Sequence, residues 1–434
     1  MSKGLSIVQG RLLKSIHFTA QYGAKGVWGG ASTETGVCRL ALSDLDKMVR
    51  DWFVSETKKL GCEIKVDAIG NIFSIYPGKN DGVPTAIGSH LDTQPTGGRY
   101  DGVYGVLAGL EVLKIFRENS FVPNYPVAVV NWTNEEGARF PKATMASSLW
   151  AENVSEESIM NLESITDQKP VTVEQELTRI GYRGEIPASY KENPLAAHFE
   201  LHIEQGPILE SENKKIGIVT GAQAYDWYKV TIQGNSSHTG TTPLGARSDA
   251  LLAASRMITK CNEVAHKHNG LVSVGVIDIE PAVVNVIPKK VSFIYDARHA
   301  SDNELSKMHA DLTQEFEEIV RTSQGPLSIK PLELSIEHLF HSKAVHFDPD
   351  CISSVKDESI HLYGESNVKE IMSGAGHDSC STSFRCPTSM IFIPSRNGIS
   401  HSPEEYSTPE SIDEGLSVLL GAVIRYDELR KIKG

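Results

Sequence analysis

The chain has 434 residues, too many for one ordinary hydrophobic core, so two domains or one domain with a large insertion are expected. Hydrophobic residues at 40% and charged residues at 22% describe a soluble globular chain, and a formal net charge of −13 argues against nucleic acid or an anionic membrane as partner. An anionic substrate would need a local positive centre against that background. Cys38, Cys62, Cys261, Cys351, Cys380 and Cys386 are scattered without a Cys-x-x-Cys pair, which excludes a cysteine zinc site and predicts reduced thiols. The start of the chain lacks a signal-peptide pattern and the longest apolar run, LSVLLGAVI at 416–424, is too short to span a membrane, so a cytoplasmic protein is expected.

In chain order, residues 40–61 have helical periodicity, with Leu45, Met48, Val49, Trp52 and Phe53 on one face. EIKVDAIGNIFSIYPG reads as a strand pair and PTAIGSHLD as a buried strand ending at His90. GVYGVLAGLEVLKIFREN is a helix with Val106, Leu107, Leu110, Leu113 and Phe116 at helical spacing, and PVAVVNWTNEEG is a further buried strand. Strand, helix, strand predicts a largely parallel sheet between helices. AAHFELHIEQGP alternates, with His198, Glu200, His202 and Glu204 on one face, and reads as a half-buried strand. From about 224 the pattern becomes β-α-β-β-α-β, the ferredoxin-like unit, with Ser301 or Asp302 capping its second helix and LSIKPLELSIEHL as its last strand. The α/β pattern resumes at 341 and ends in a helix over 409–431.

The stretch GSHLDTQPTGGRYDG puts His90, Asp92 and Asp101 close together at a strand end. Loops rich in Gly and Asp are common there. The alternative is a metal site, because zinc accepts imidazole and carboxylate where no thiolate is offered. Asp92, two residues beyond His90, can accept the imidazole's second N–H and orient the ring. In NEEG, Glu135 and Glu136 end the next buried strand; a solvated pair would suit a turn, but one carboxylate can ligate metal while the other takes a proton from water. ELHIEQG ends its strand with His202, and SGAGHDSCSTS and GISHSPEEYS place His377 and His401 among small residues. With Asp101 as a bridge, such a His, Asp, Glu, His, His set can hold two metals about 3.5–4 Å apart. Spacing leaves the choice between His377 and His401 open.

These motifs, with HTGTTP, resemble the metallopeptidase family that includes bacterial aminoacylases and carboxypeptidases, and within it the N-carbamoyl-amino-acid hydrolase and allantoate amidohydrolase branch. YPGKN, VPNY, ASYKEN, QGPILESENKKIGIVTGAQAY and PTSMIFIPS are most similar to fungal β-alanine synthases, the β-ureidopropionases. The resemblance implies an α/β, di-zinc aminopeptidase-like catalytic domain, with a mixed sheet between helices, in residues 1–223 and 341–434. It implies an inserted ferredoxin-like dimerisation and lid domain over 224–340, and a homodimer. Two Zn²⁺ per subunit are implied, with Mn²⁺, Co²⁺ or Ni²⁺ as substitutes. Matched motif by motif, His90 and His202 would hold one zinc, Glu136 and His401 the other, and Asp101 would bridge. Glu135 would be the general base and Asp92 would support His90. Gln205, His238, Asn285, Arg298, Gly376 and His377 would contact substrate, with His238 stabilising the carbonyl oxygen. Arg298 would then be the positive centre, a fork for the substrate carboxylate. The implied reaction cleaves the carbamoyl C–N bond of N-carbamoyl-β-alanine to β-alanine, CO₂ and ammonia. N-carbamoyl-L-amino acids or allantoate are the alternative substrates, a dipeptide a further one. A non-catalytic binding homologue is the remote reading, and it should have lost a ligand or the base, whereas every position is present.

Overall fold

The computed structural model describes residues 4–433. The chain divides into two compact units: residues 1–221 with 346–434, and an inserted unit of residues 222–345.

In the first unit nine strands form one mixed sheet. Its four central strands, Thr388–Ile393, Ala197–Ile203, Thr85–His90 and Val127–Trp132, run parallel. Every residue of all four is buried, as expected of strands covered on both faces. Ile72–Tyr76 and Glu63–Val66 continue the sheet antiparallel on one side, and Ile216–Ala222 on the other. Parallel strands deliver their carboxyl ends to one edge. His90, the Glu135–Glu136 pair, His202 and the loop after Ile393 therefore emerge together.

Two expectations change here. The strand Ala197–Ile203 is fully buried, so His198, Glu200 and His202 face an interior lined with partners and not solvent. His198 Nε2 accepts the Trp132 indole N–H at 3.2 Å, and Glu200 accepts the hydroxyls of Ser89 and Ser379 at 2.8 and 2.7 Å. The early helix runs Asp44–Lys59, capped by Ser43, and buries Asp46, Val49, Arg50, Phe53 and Thr57 while Leu45 and Met48 are exposed. Its inner face is polar because Asp46 and Arg50 pair at 2.8 Å and Arg50 reaches the Gly70 carbonyl and the Thr133 hydroxyl.

The helix Val103–Glu118 lies against the sheet at close range. A Cβ on Gly105 would stand 2.7 Å from the Leu201 carbonyl oxygen, so only glycine allows that approach. The contact sets the helix's first turn, and with it Asp101, beside the ends of the central strands. Among the described residues, no helix is long and apolar enough to cross a membrane.

The inserted unit is a four-stranded antiparallel sheet in the order Leu271–Glu280, Lys290–His299, Ala224–Gln233, Glu333–Ser342. Helices Ala250–His268 and Asp302–Ser323 pack on it around Val230, Ile232, Phe293, Tyr295, Met308 and Phe316. Ser301 is the cap of the second helix. The last strand starts at Glu333 and runs past the expected 339 to Ser342. Pro331 offers no N–H to a ladder, and Leu327 and Ile329 before it are exposed.

Candidate metal centre and active site

At the carboxyl edge of the large sheet Asp101 stands between two groups of side chains. Its Oδ1 lies 3.0 Å from His202 Nε2 and 3.6 Å from His90 Nε2, and its Oδ2 lies 3.4 Å from His401 Nε2. His401 Nε2 is also 3.4 Å from Glu136 Oε2. Possible ligand atoms of His90, Asp101 and His202 all lie within 4.8 Å of one another, and so do those of Asp101, Glu136 and His401. His377 groups instead with Glu200 and His202, and its Nε2 bonds the Ser373 hydroxyl at 2.9 Å. Of the two histidines between which spacing left the choice open, it is His401 that faces Glu136 and Asp101.

Backbone geometry aims these groups. Gly102 has φ +68°, and a Cβ there would collide with the His90 ring. Asn134, Gln205 and His401 adopt left-handed φ of 55°, 58° and 54°, uncommon for residues other than glycine. The turn at Asn134 sends the two glutamates different ways. Glu135 Oε2 lies 3.5 Å from His90 Nε2, whereas Glu136 faces His401 and accepts the Gln94 amide at 2.8 Å.

Asp92 meets His90 more closely through its backbone than through its side chain. The His90 Nδ1 proton goes to the Asp92 backbone carbonyl at 2.9 Å, while the carboxylate stays 4.0 Å away. That carboxylate accepts the backbone N–H of Glu135 and of Glu136, each at 3.3 Å. Asp92 thus positions the glutamate pair, because its side chain points across to the neighbouring strand end.

The electrostatics are those of a buried acid cluster facing imidazoles. Burial opposes charge on His90, yet Glu135, Asp101 and Asp92 outweigh it and hold its pKa well above the usual imidazole range. His202 is raised in the same way by Asp101 against burial. A hydrogen bond to Asp101 lifts His401 to about 9. Burial works against ionised Asp101, but its three histidine partners pull its pKa well below the carboxylate range. Glu135 is driven well above that range by burial, with Asp378, Glu136 and Asp101 adding to it, and burial with Asp101 pushes Glu136 up to about 7. His377, buried beside His202, falls to about 3.

This donor set fits divalent metal. Nδ1 of His90 and of His202 donate to backbone carbonyls, which leaves both Nε2 atoms aimed at Asp101 Oδ1. Two lone pairs cannot face each other at 3.0 Å without a proton or a cation between them. Among the described residues, the ion pairs of Asp101, Glu135 and Glu136 run to histidines alone.

Three supports escaped the sequence reading. Glu405, buried, accepts the backbone N–H groups of Tyr100 and Asp101 at 3.0 Å each, and burial with Asp101 nearby pushes it up to about 7. Arg39, fully buried, donates from Nε to the Leu91 carbonyl at 2.7 Å and holds the turn between His90 and Asp92. Ser400 bridges Asp101 Oδ2 and Glu405 Oε2 at 3.1 and 2.9 Å. Glu405 and Ser400 had a cue, their place inside ISHSPEEYS; Arg39 had none.

Of the expected substrate contacts, Gln205 donates from Nε2 to Asp101 Oδ2 at 2.7 Å, and its Oε1 is buried without a hydrogen-bond partner. Gly376 is exposed beside His377. His238, Asn285 and Arg298 belong to the inserted unit. His238 pairs with Val286, next to Asn285, and its Nδ1 accepts the N–H groups of Gly240 and Thr241. The Arg298 fork is not vacant: Nε and Nη2 hold the two oxygens of Asp296 at 2.9 and 2.8 Å, over the Tyr225 ring.

The chain is similar to known proteins over nearly its whole length. The model of peptidase family M20/M25/M40 matches residues 86–425. An N-carbamoyl-L-amino-acid amidohydrolase of Rhizobium meliloti is 38% identical over 426 residues, 96% of each chain. An allantoate amidohydrolase of Bacillus subtilis is 31% identical, covering 96% of this chain and 98% of its own. The crystal structure of an amidase of the hydantoinase/carbamoylase family from Burkholderia multivorans superposes with a TM-score of 0.88 at 42% identity, covering 97% of this chain and 98% of that one. The chain belongs to peptidase family M20/M25/M40, a family that generally binds divalent metals, and it is a hydrolase of amide C–N bonds.

Proposed function

We propose that this protein hydrolyses the carbamoyl C–N bond of an N-carbamoyl-L-amino acid, releasing the amino acid, CO₂ and ammonia. The observation that carries the reading is Asp101, whose two oxygens face His90 with His202 on one side and His401 on the other, beside Glu135. Relatives matching over nearly their whole length are named for N-carbamoyl-L-amino acids and for allantoate. They favour an α-ureido acid over the N-carbamoyl-β-alanine that the motifs alone suggested, so a fungal-type β-alanine synthase is the lesser reading.

In this proposal His90 and His202 would hold one zinc and Glu136 and His401 a second, with Asp101 serving both. Bound metal would polarise the ureido carbonyl and lower the pKa of water toward about 7. Glu135 takes the proton of the attacking water at its carboxylate and returns it to the leaving nitrogen. Asp92 keeps the two glutamate backbones in place. The partnerless Oε1 of Gln205 accepts a ureido N–H. His238 supports the carbonyl oxygen, Asn285, Gly376 and His377 bind the substrate, and Arg298 takes its carboxylate by exchanging Asp296 for it.

Ammonia release from N-carbamoyl-L-leucine, allantoate, N-carbamoyl-β-alanine and a dipeptide tests the reading. The carbamoyl leucine should be turned over fastest, and hydrolysis of the dipeptide alone would sink the proposal. The native assembly is proposed as a cytoplasmic homodimer carrying two zinc ions per chain; light scattering and elemental analysis of the purified protein check assembly and metal.

A further inference from the structure

The strand Glu333–Ser342 pairs with Ala224–Gln233, and its register slips between His338 and Phe340. His338 stands opposite Tyr228 and His341 opposite Asp226, so Leu339 is an extra residue. Two residues three apart on a regular strand point to opposite faces. The bulge turns both imidazoles to the face that carries Asp226 and Tyr228. There His338 Nε2 and His341 Nδ1 each lie 2.9 Å from Asp226 Oδ1. The Asp226 side chain is 10% exposed, whereas those of His338 and His341 are 46% and 38% exposed. The Tyr228 ring packs on the His338 ring at 4.7 Å and on the His309 ring at 3.8 Å, which holds the first imidazole in place.

We propose that Asp226, His338 and His341 form a divalent-metal site of the inserted unit, independent of the reaction proposed above. Two imidazoles and one carboxylate suit zinc or a similar borderline first-row ion, and not magnesium or calcium, which take oxygen ligands. The three candidate ligand atoms lie within 4.8 Å of one another. Tetrahedral zinc, with bonds of about 2.0–2.2 Å, separates its ligand atoms by roughly 3.4 Å, so each imidazole has only to draw back from Asp226 by about half an ångström. The exposed imidazoles leave solvent to complete the coordination. Asp226 lies near the start of the unit's first strand and His341 near the end of its last. A bound ion therefore ties together the two strands by which the chain enters and leaves residues 222–345.

The test is equilibrium dialysis of chelator-stripped full-length protein against Zn²⁺ at neutral pH, followed by elemental analysis. His341→Ala and Asp226→Asn should each lower bound zinc by one equivalent per chain, or weaken that binding step by more than about tenfold. Asp101→Ala should lose zinc from the other centre and keep this equivalent. Circular dichroism checks folding, and His341→Ala, at an exposed strand end, reads the same loss if Asp226→Asn fails to fold. Equal zinc content and affinity in wild type and a folded His341→Ala would overturn the site and leave the triad as two hydrogen-bonded histidines.

Discussion

The strands Ala197–Ile203 and Glu333–Ser342 both alternate polar and apolar residues, yet the first is buried at all seven positions and most of the second is exposed. The first lies between two parallel neighbours inside a sheet covered on both faces; the second is the edge of an antiparallel sheet. The histidines differ accordingly. His198 has to be neutral and fully partnered, and His202 has its Nδ1 tied to the Ile203 carbonyl so that Nε2 can face Asp101. His338 and His341 keep a solvent-facing side and share one carboxylate. Burial converts an alternating pattern into a network whose members cannot be exchanged, whereas an edge strand tolerates substitution unless something binds there.

The largest effect that would break or sharpen this contrast is expected at Glu135, in the buried network. Glu135→Gln cannot take the water's proton, and kcat should fall by at least about 10²–10⁴-fold with bound metal unchanged. Glu136→Gln should lose metal instead. Steady-state kinetics with elemental analysis separates the two, and a Glu135→Gln enzyme retaining a tenth of wild-type kcat would remove that residue from the mechanism.

Arg298 tests the inserted unit in the same terms. If it binds the substrate carboxylate, Arg298→Ala should cost kcat/KM on the order of 2–5 kcal/mol, and Arg298→Lys less. A substrate with an amidated carboxylate should be poor for wild type and hardly poorer for the variant. Equal losses on both substrates would make Arg298 only a partner of Asp296.

The buried strand should also show itself in acid. Burial lowers His198 from 6.5 to about 4, so between those values the unfolded chain holds more protons than the folded one. Stability should therefore fall as pH drops through that window, by about 3 kcal/mol from this residue alone at pH 4. His377 contributes in the same direction from the same upper limit, and its window extends down to about 3. Denaturant melts across the window should lose one proton's slope in His198→Gln; an unchanged slope would mean that His198 is charged in the fold.

The smallest expected effect is at Asp92. Asp92→Asn keeps the backbone carbonyl that orients His90 but cannot accept both glutamate N–H groups, so activity should drop about 10–100-fold. A loss of metal as large as that of His90→Ala would mean that the carboxylate serves His90 after all.

Much of the site was legible because its residues sit at strand ends within short motifs. GSHLD, NEEG and ELHIEQG each place a ligand type where a parallel sheet exposes it. The inner face of the early helix was not legible, since periodicity treats Leu45 and Met48 as core and cannot know that Asp46 and Arg50 neutralise each other inside. Nor was the role of Asp92, which depends on a neighbouring strand end 43 residues away.

By itself the sequence determined the α/β class of the large unit, the β-α-β-β-α-β order of the insert and the identity of the histidines and acids on offer. These follow from local periodicity, turn chemistry and composition, which act over a few residues. Tertiary structure alone decided that His401 and not His377 meets Glu136, that Asp101 offers one oxygen to each side, and that Asp296 occupies the Arg298 fork. It alone turned His338 and His341 to one face, through a single extra residue in a ladder. Such facts depend on which strand lies beside which and in what register, and a one-residue shift in register turns a side chain to the other face.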